Sequence, residues 1–183
     1  MAPVAPQKPS KGVSSFESTL ASLRSGVAQS VPERGLSAAS LRHFGVVIED
    51  GKVIYPYYND DKELKAAKIR YPDKRFQTSG EWASTGLFGQ HLFNTGGKFV
   101  TVVEGEYDAL AAFQLSGSQY PVVSIRNGAS GALKDCKASY EWLDSFETIV
   151  ICFDADEVGQ KAAVEVANLF SGKSKIMKHR GDY

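Results

Sequence analysis

The sequence predicts an α/β fold, with a parallel-type sheet carrying helices on both faces, preceded by a small α+β subdomain. Three observations predict it. From residue 98 onward, short runs of β-branched and aromatic residues alternate with segments of helical spacing. In the first half, Asp50-Gly51 sits between two apolar runs, a two-residue hairpin signal. Between the two textures stands Gly96-Gly97. Strands that alternate with helices imply right-handed crossovers and a parallel sheet covered on both sides.

Each element follows from local chemistry. Residues 1–15 carry three prolines, several small residues and no acid, and read as a flexible tail or linker. A transit peptide fits less well, because the segment lacks arginine and amphipathicity. Phe16 to Leu23 and Ser37 to Phe44 have helical spacing, the second capped by Ser37 and stopped by Gly45. Val46 to Ile48 and Lys52 to Tyr58 are the hairpin strands, and Leu64 to Tyr71 supplies a third before Pro72-Asp73. These make a subdomain over residues 16–97. The second unit, 98–183, has strands at 99–103, 122–125, 148–153 and from 175. Its helices are expected at 107–115, 133–143 and 158–170. Ser171-Gly172-Lys173 reads as a helix stop and turn; the order helix, turn, strand is the reverse of a phosphate loop.

Composition bounds the class: 43% hydrophobic and 23% charged residues are ordinary for a globular chain, which excludes collagen-like and fully disordered proteins. The formal charge is zero, yet this is a cancellation. Residues 1–100 hold 13 basic and 9 acidic side chains, and residues 101–183 hold 8 and 12. The basic excess concentrates in Lys62 to Arg75, the acids around Glu104 to Asp108 and Asp154 to Glu157. Cys136 and Cys152 form no zinc pattern with the three histidines and no disulfide framework, so no zinc site is readable and a reducing, cytoplasmic setting is expected. No apolar stretch is long enough to span a membrane, and no signal peptide is readable.

In open parallel sheets, ligands bind beyond the carboxyl ends of the strands. Glu104 directly follows one strand, with Asp108 in the next helix; Asp154 directly follows another, with Asp156 two residues on. If those strands are neighbours, the four carboxylates share one rim. Crowded carboxylates repel, so they call for a hard cation, and oxygen donors without histidine suit Mg²⁺ or Mn²⁺. Glu106 and Glu157, each in a first helical turn, are assigned instead to the helix macrodipole. Lys68 and Arg70 share one face of their strand, and Lys74 follows the turn back toward it. That cluster reads either as a phosphate-binding surface or as a solvated, lysine-protected edge. The loop from Arg126, Asn127 and Gly128 to Gly131 either offers N–H groups to an anion or is a plain turn, with Arg126 and Asn127 as its ligand contacts in the first reading.

Glu104-Gly105-x-x-Asp108 followed by Asp154-x-Asp156-x-x-Gly159 resembles the Toprim domain of primases, topoisomerases and certain nucleases. VVEGEYDALAA, YPVVSIRNGASGALK and FDADEVGQKAA resemble more narrowly the primase half of the primase-helicases of short-tailed phages and their mitochondrial relatives. The likeness extends upstream to Lys68-Ile69-Arg70, Asp73-Lys74-x-Phe76, Thr78-x-Gly80 and Leu87-Phe88-Gly89.

The resemblance implies a metal-dependent DNA primase that makes short RNA primers from ribonucleoside triphosphates on single-stranded DNA, in the host cytoplasm if phage-encoded. It implies two divalent ions, with Asp154 and Asp156 as direct ligands, Glu104 as ligand or general base and Asp108 in support. Lys68, Arg70 and Lys74 would hold nucleotide and template phosphates. Implied partners are a ring helicase, fused or separate, and a zinc-binding template-recognition module. The chain is either the catalytic core of a longer protein or a minimal protein completed by partners. A strand-cleaving Toprim protein and a non-catalytic DNA-binding accessory are the alternative functions.

Overall fold

The computed structural model describes residues 11–178. Helix α1 (Lys11–Ser25) begins ahead of Phe16, so residues 11–15 are helical, where the composition suggested tail or linker. The remainder of that segment, residues 1–10, lies outside the described residues. Helix α2 (Ala38–Phe44) is capped as expected, the Ser37 side chain accepting from the Ser40 N–H. Strands β1 (Val47–Glu49) and β2 (Lys52–Tyr58) are joined through Asp50 and Gly51 at φ 49° and 72°, the doubly left-handed turn that matches strand twist. Strand β3 (Leu64–Arg70) follows. The turn after it leads into β4 (Phe76–Gly80), an element the sequence did not indicate. The reason is physical: β4 is an edge strand of FQTSG, largely exposed, and has no apolar alternation to read.

The second half is a parallel sheet of order β6-β5-β7-β8, built from β5 (Gly97–Val103), β6 (Val122–Ser124), β7 (Phe146–Cys152) and β8 (Ser174–Ile176). Helices α3 (Glu106–Leu115) and α6 (Glu157–Leu169) fall where the spacing placed them. The single helix expected over 133–143 is instead two, α4 (Ala132–Ala138) and α5 (Tyr140–Asp144). The chain bends at Ser139, whose buried hydroxyl donates to Gln90 Oε1 at 2.8 Å, a long-range bond that pins the junction of the two helices.

The parallel sheet has two differently covered faces. Val100, Val102, Val123, Ile125, Ile149 and Ile151 point into a core closed by α4, α5 and α6. On the other face Val103 and Val122 meet Leu110 and Phe113 of α3, in one cluster with Leu41, Phe44, Tyr55, Tyr57 and Phe88 of the first half. The antiparallel sheet therefore packs on the parallel one through α3. Phe88 joins them twice: its backbone bridges Ser124 at 3.0 and 3.2 Å, and its buried ring stacks on Phe44.

A shared core predicts one cooperative unfolding transition. Phe88→Ala should lower stability by about 3–5 kcal/mol while far-ultraviolet and tyrosine signals still melt together in urea. Two separated transitions would contradict the coupling.

Candidate active site

Strands β5 and β7 are parallel neighbours, pairing Val103 with Cys152, so the residues after them emerge on the same rim. Glu104 and Asp154 are directly tied: the Asp154 N–H donates to Glu104 Oε2 at 3.1 Å. Helix α6 is held close to both, since a Cβ at Gly159 would lie 2.5 Å from the Asp154 carbonyl and 3.1 Å from Glu104 Oε2. Only glycine fits there, which gives the D-x-D-x-x-G spacing a packing reason. Asp156 caps α6, its Oδ1 accepting from the Gly159 N–H at 2.7 Å.

Glu104, Asp108 and Asp154 line a cleft of about 630 Å³ with Lys68, Phe76, Thr78, Trp82, Gly105, Glu106, Arg126, Asn127 and Gly128. Among the described residues none of Glu104, Asp108, Asp154 and Asp156 forms a salt bridge. Desolvation, then repulsion from Asp154 and Asp156, pushes the Glu104 carboxyl up; the N–H groups of Asp154 and Ala129 lean the other way. Asp108 is likewise pushed up by desolvation and then by Asp154. Asp156, the N-cap of α6, is not among the lining residues; Glu104, Asp108 and Asp154 are, and oxygen donors without histidine or cysteine suit a hard cation. Among the described residues, no three acidic, histidine or cysteine side chains close into a ready-made cage.

Lys68 reaches the cleft but is not free. Its Nζ pairs with Glu106 Oε1 and donates to the Arg126 carbonyl at 2.6 Å. Glu106, assigned from sequence to the helix dipole, is in fact buried at 6% exposure and also accepts from Tyr57 Oη at 2.6 Å. A short-range pattern could not reveal this, because the partners come from strands about 40 to 50 residues away.

Arg126 also lines the cleft, but its side chain is engaged from within the fold. Its side chain is buried against Asp135, accepted at 3.2 and 3.1 Å by Oδ1, and it donates to the Trp82 and Thr85 carbonyls. Asn127 bonds the same Asp135, so the loop is folded around a fully buried carboxylate. Gly128 remains on the cleft wall. Arg70 and Lys74 lie outside the cleft lining. Arg70 stands over the rings of Phe76 and Tyr107, and exposed Lys74 occupies the turn at φ 67°.

Two predictions follow from these charges. Truncating Arg126 to Met leaves buried Asp135 without its cation, and urea unfolding should show a loss of about 3–5 kcal/mol. Glu104 and Asp108 are raised above their unfolded values, so ionising them costs the folded state. The cost is absent below about pH 4, where both states are protonated, and complete above the raised folded values. Asp108→Asn should therefore raise the cation-free Tm by about 2 °C at pH 8, with the gain shrinking toward pH 4; an equal gain at both values would contradict the origin.

Residues 101–182 match the family model described as Toprim-like. Over 121 residues the chain is 43% identical to the DNA helicase/primase of Enterobacteria phage T3, covering 66% of this chain and 21% of that protein. It spans about a fifth of the length of that curated relative. The crystal structure of the primase fragment of the bacteriophage T7 primase-helicase superposes with a TM-score of 0.78 at 36% identity, covering 96% of this chain and 72% of that one. A second T7 structure holds the lagging-strand DNA polymerase with primase domains of two gp4 subunits bound to an RNA/DNA hybrid and dTTP. It matches with a TM-score of 0.75 at 38% identity, over 82% of this chain and 79% of that one. With the carboxylates on the rim of β5 and β7 and this likeness over nearly its whole length, the chain belongs to the Toprim-type primase domains of the phage primase-helicases.

Proposed function

We propose that the cleft is the nucleotidyl-transfer centre of a DNA primase, which joins ribonucleotides into short primers on single-stranded DNA. The observation that carries this reading is the set of carboxylates on neighbouring strand ends, free of salt bridges among the described residues and sharing a cleft with Lys68. The reaction is attack of a ribonucleotide 3′ hydroxyl on the α-phosphate of the next triphosphate. The expected cofactor is Mg²⁺ or Mn²⁺, two ions in all, which when bound supply charge neutralisation for the attacking and leaving oxygens.

The residues fit such ions in a specific sense. Mg²⁺ is commonly held by one or two carboxylates, completing its shell with water and substrate phosphate, and Glu104 and Asp154, tied by a hydrogen bond at adjacent strand ends, offer such a pair. Asp154 and Asp156 are the direct ligands, Asp156 through the oxygen not used in its cap. Glu104, steered by the Asp154 N–H, is a further ligand or takes the proton of the attacking hydroxyl. Asp108 adds negative charge from the first turn of α3. Lys68, held in place by Glu106, offers its remaining positive field to the triphosphate, with Arg70 and Lys74 placed further out toward the template.

Single-stranded DNA, ribonucleoside triphosphates, a ring helicase and a zinc-binding template-recognition module are the proposed partners. The T3 relative's description as a helicase/primase and the RNA/DNA hybrid in the T7 assembly support this reading.

Incubation with single-stranded DNA, ribonucleotides and Mg²⁺ should yield short RNA that disappears on chelation and returns with Mn²⁺. Asp154→Asn should lower product at least about a hundredfold. Equal product from both proteins would overturn the proposal, and ribonucleotide-independent nicking of plasmid would replace it with strand cleavage.

A further inference from the structure

Phe76 is a large apolar side chain in an unusual position. Cross-strand register places it opposite Arg70, and Thr78 opposite Lys68, on one face of β3 and β4. The same face of the sheet carries Tyr55, paired with Lys68 on the inner side and 1% exposed. Alternation therefore assigns Phe76 to the buried face, yet it is 56% exposed. Helix α1 does not cover it: α1 engages the opposite face, where Ser79 bonds Thr19. Phe76 instead borders the 630 Å³ cleft, with Trp82 also in the lining. Among the described residues no aromatic ring stacks on Phe76, and two cations stand over it, Lys68 Nζ at 5.6 Å and Arg70 Cζ at 5.7 Å from the ring centroid.

A single exposed apolar residue is ordinary. An exposed aromatic ring flanked by two cations, beside a carboxylate site, combines the two elements of single-stranded nucleic acid recognition: a π-face for a base and positive charge for its phosphates. We propose that Phe76 is a stacking platform for a nucleobase entering this cleft, while Lys68 and Arg70 face the attached phosphates. A phenyl ring has no hydrogen-bonding atom to read a base edge, so the platform accepts all bases alike and sets affinity rather than sequence. The base belongs either to the ribonucleoside triphosphate or to the template strand; its chemistry is the same in both. This inference rests on the nucleotidyl-transfer reading and assigns a base contact to that same site.

The test uses the full chain with Mg²⁺ and compares Phe76→Ala, Phe76→Leu and Phe76→Trp, each checked for native circular dichroism. Binding of ATP and CTP is measured by calorimetry, and binding of labelled oligothymidylate by fluorescence anisotropy. Phe76→Ala and Phe76→Leu should weaken binding about tenfold, within the range for losing one stacked base, equally for ATP and CTP, while Phe76→Trp retains it. Leucine separates stacking from mere apolar bulk. A loss confined to nucleotides places the base on the triphosphate, and a loss confined to the oligonucleotide places it on the template. Losses below twofold in both assays, or a loss for one nucleotide alone, would overturn the platform. Wild-type protein that binds neither ligand would overturn the nucleotidyl-transfer reading itself, and this inference with it.

Discussion

An ammonium group taken out of water must find acceptors, and Lys68 finds them on the other sheet. It leaves β3, bonds Glu106 at the start of α3 and meets the carbonyl of Arg126 just beyond β6. Three elements that are far apart in sequence are thereby fixed at one nitrogen. Burying an ion pair is costly unless its remaining bonding capacity is met. Tyr57 meets it from β2 by donating to the same carboxylate. The spacing between the antiparallel sheet and the acidic rim depends on this junction, and so does the width of the cleft between them.

The molecule sorts its charges into two kinds. Lys68 with Glu106 and Arg126 with Asp135 are buried, matched ion pairs braced by further hydrogen bonds. Glu104, Asp108 and Asp154 form no salt bridge among the described residues, and the first two are raised by desolvation and by repulsion from neighbouring acids, with Arg34 offsetting part of it at Asp108. The first kind holds the frame; the second is held apart by it at a cost that a bound cation would relieve. A net charge of zero over the chain conceals both.

Much of this was legible in the sequence, for reasons that also mark the limits. The parallel sheet was readable because short apolar, β-branched runs alternate with segments of helical composition, of which α6 is clearly amphipathic. The rim of acids followed from the rule for strand ends, once β5 and β7 proved adjacent. Strand β4 was not readable, because an exposed edge carries no alternation. The bend at Ser139 depends on Gln90, 49 residues away, which no local pattern contains. Glu106 and Arg126 have partners that no short-range pattern shows, because Tyr57, Lys68, Trp82 and Thr85 reach them only through the tertiary fold.

The strand order also carries a consequence for how the chain acquires its site. Strands β5 and β6 are close in sequence and can pair early, whereas Asp154 reaches Glu104 only when β7 docks beside β5 after the intervening chain has been ordered. Closing that longer loop is slower and entropically dearer than closing the short one. The repulsion between Glu104 and Asp154 is therefore tied to the longer of the two closures, and pairing β5 with β6 does not incur it.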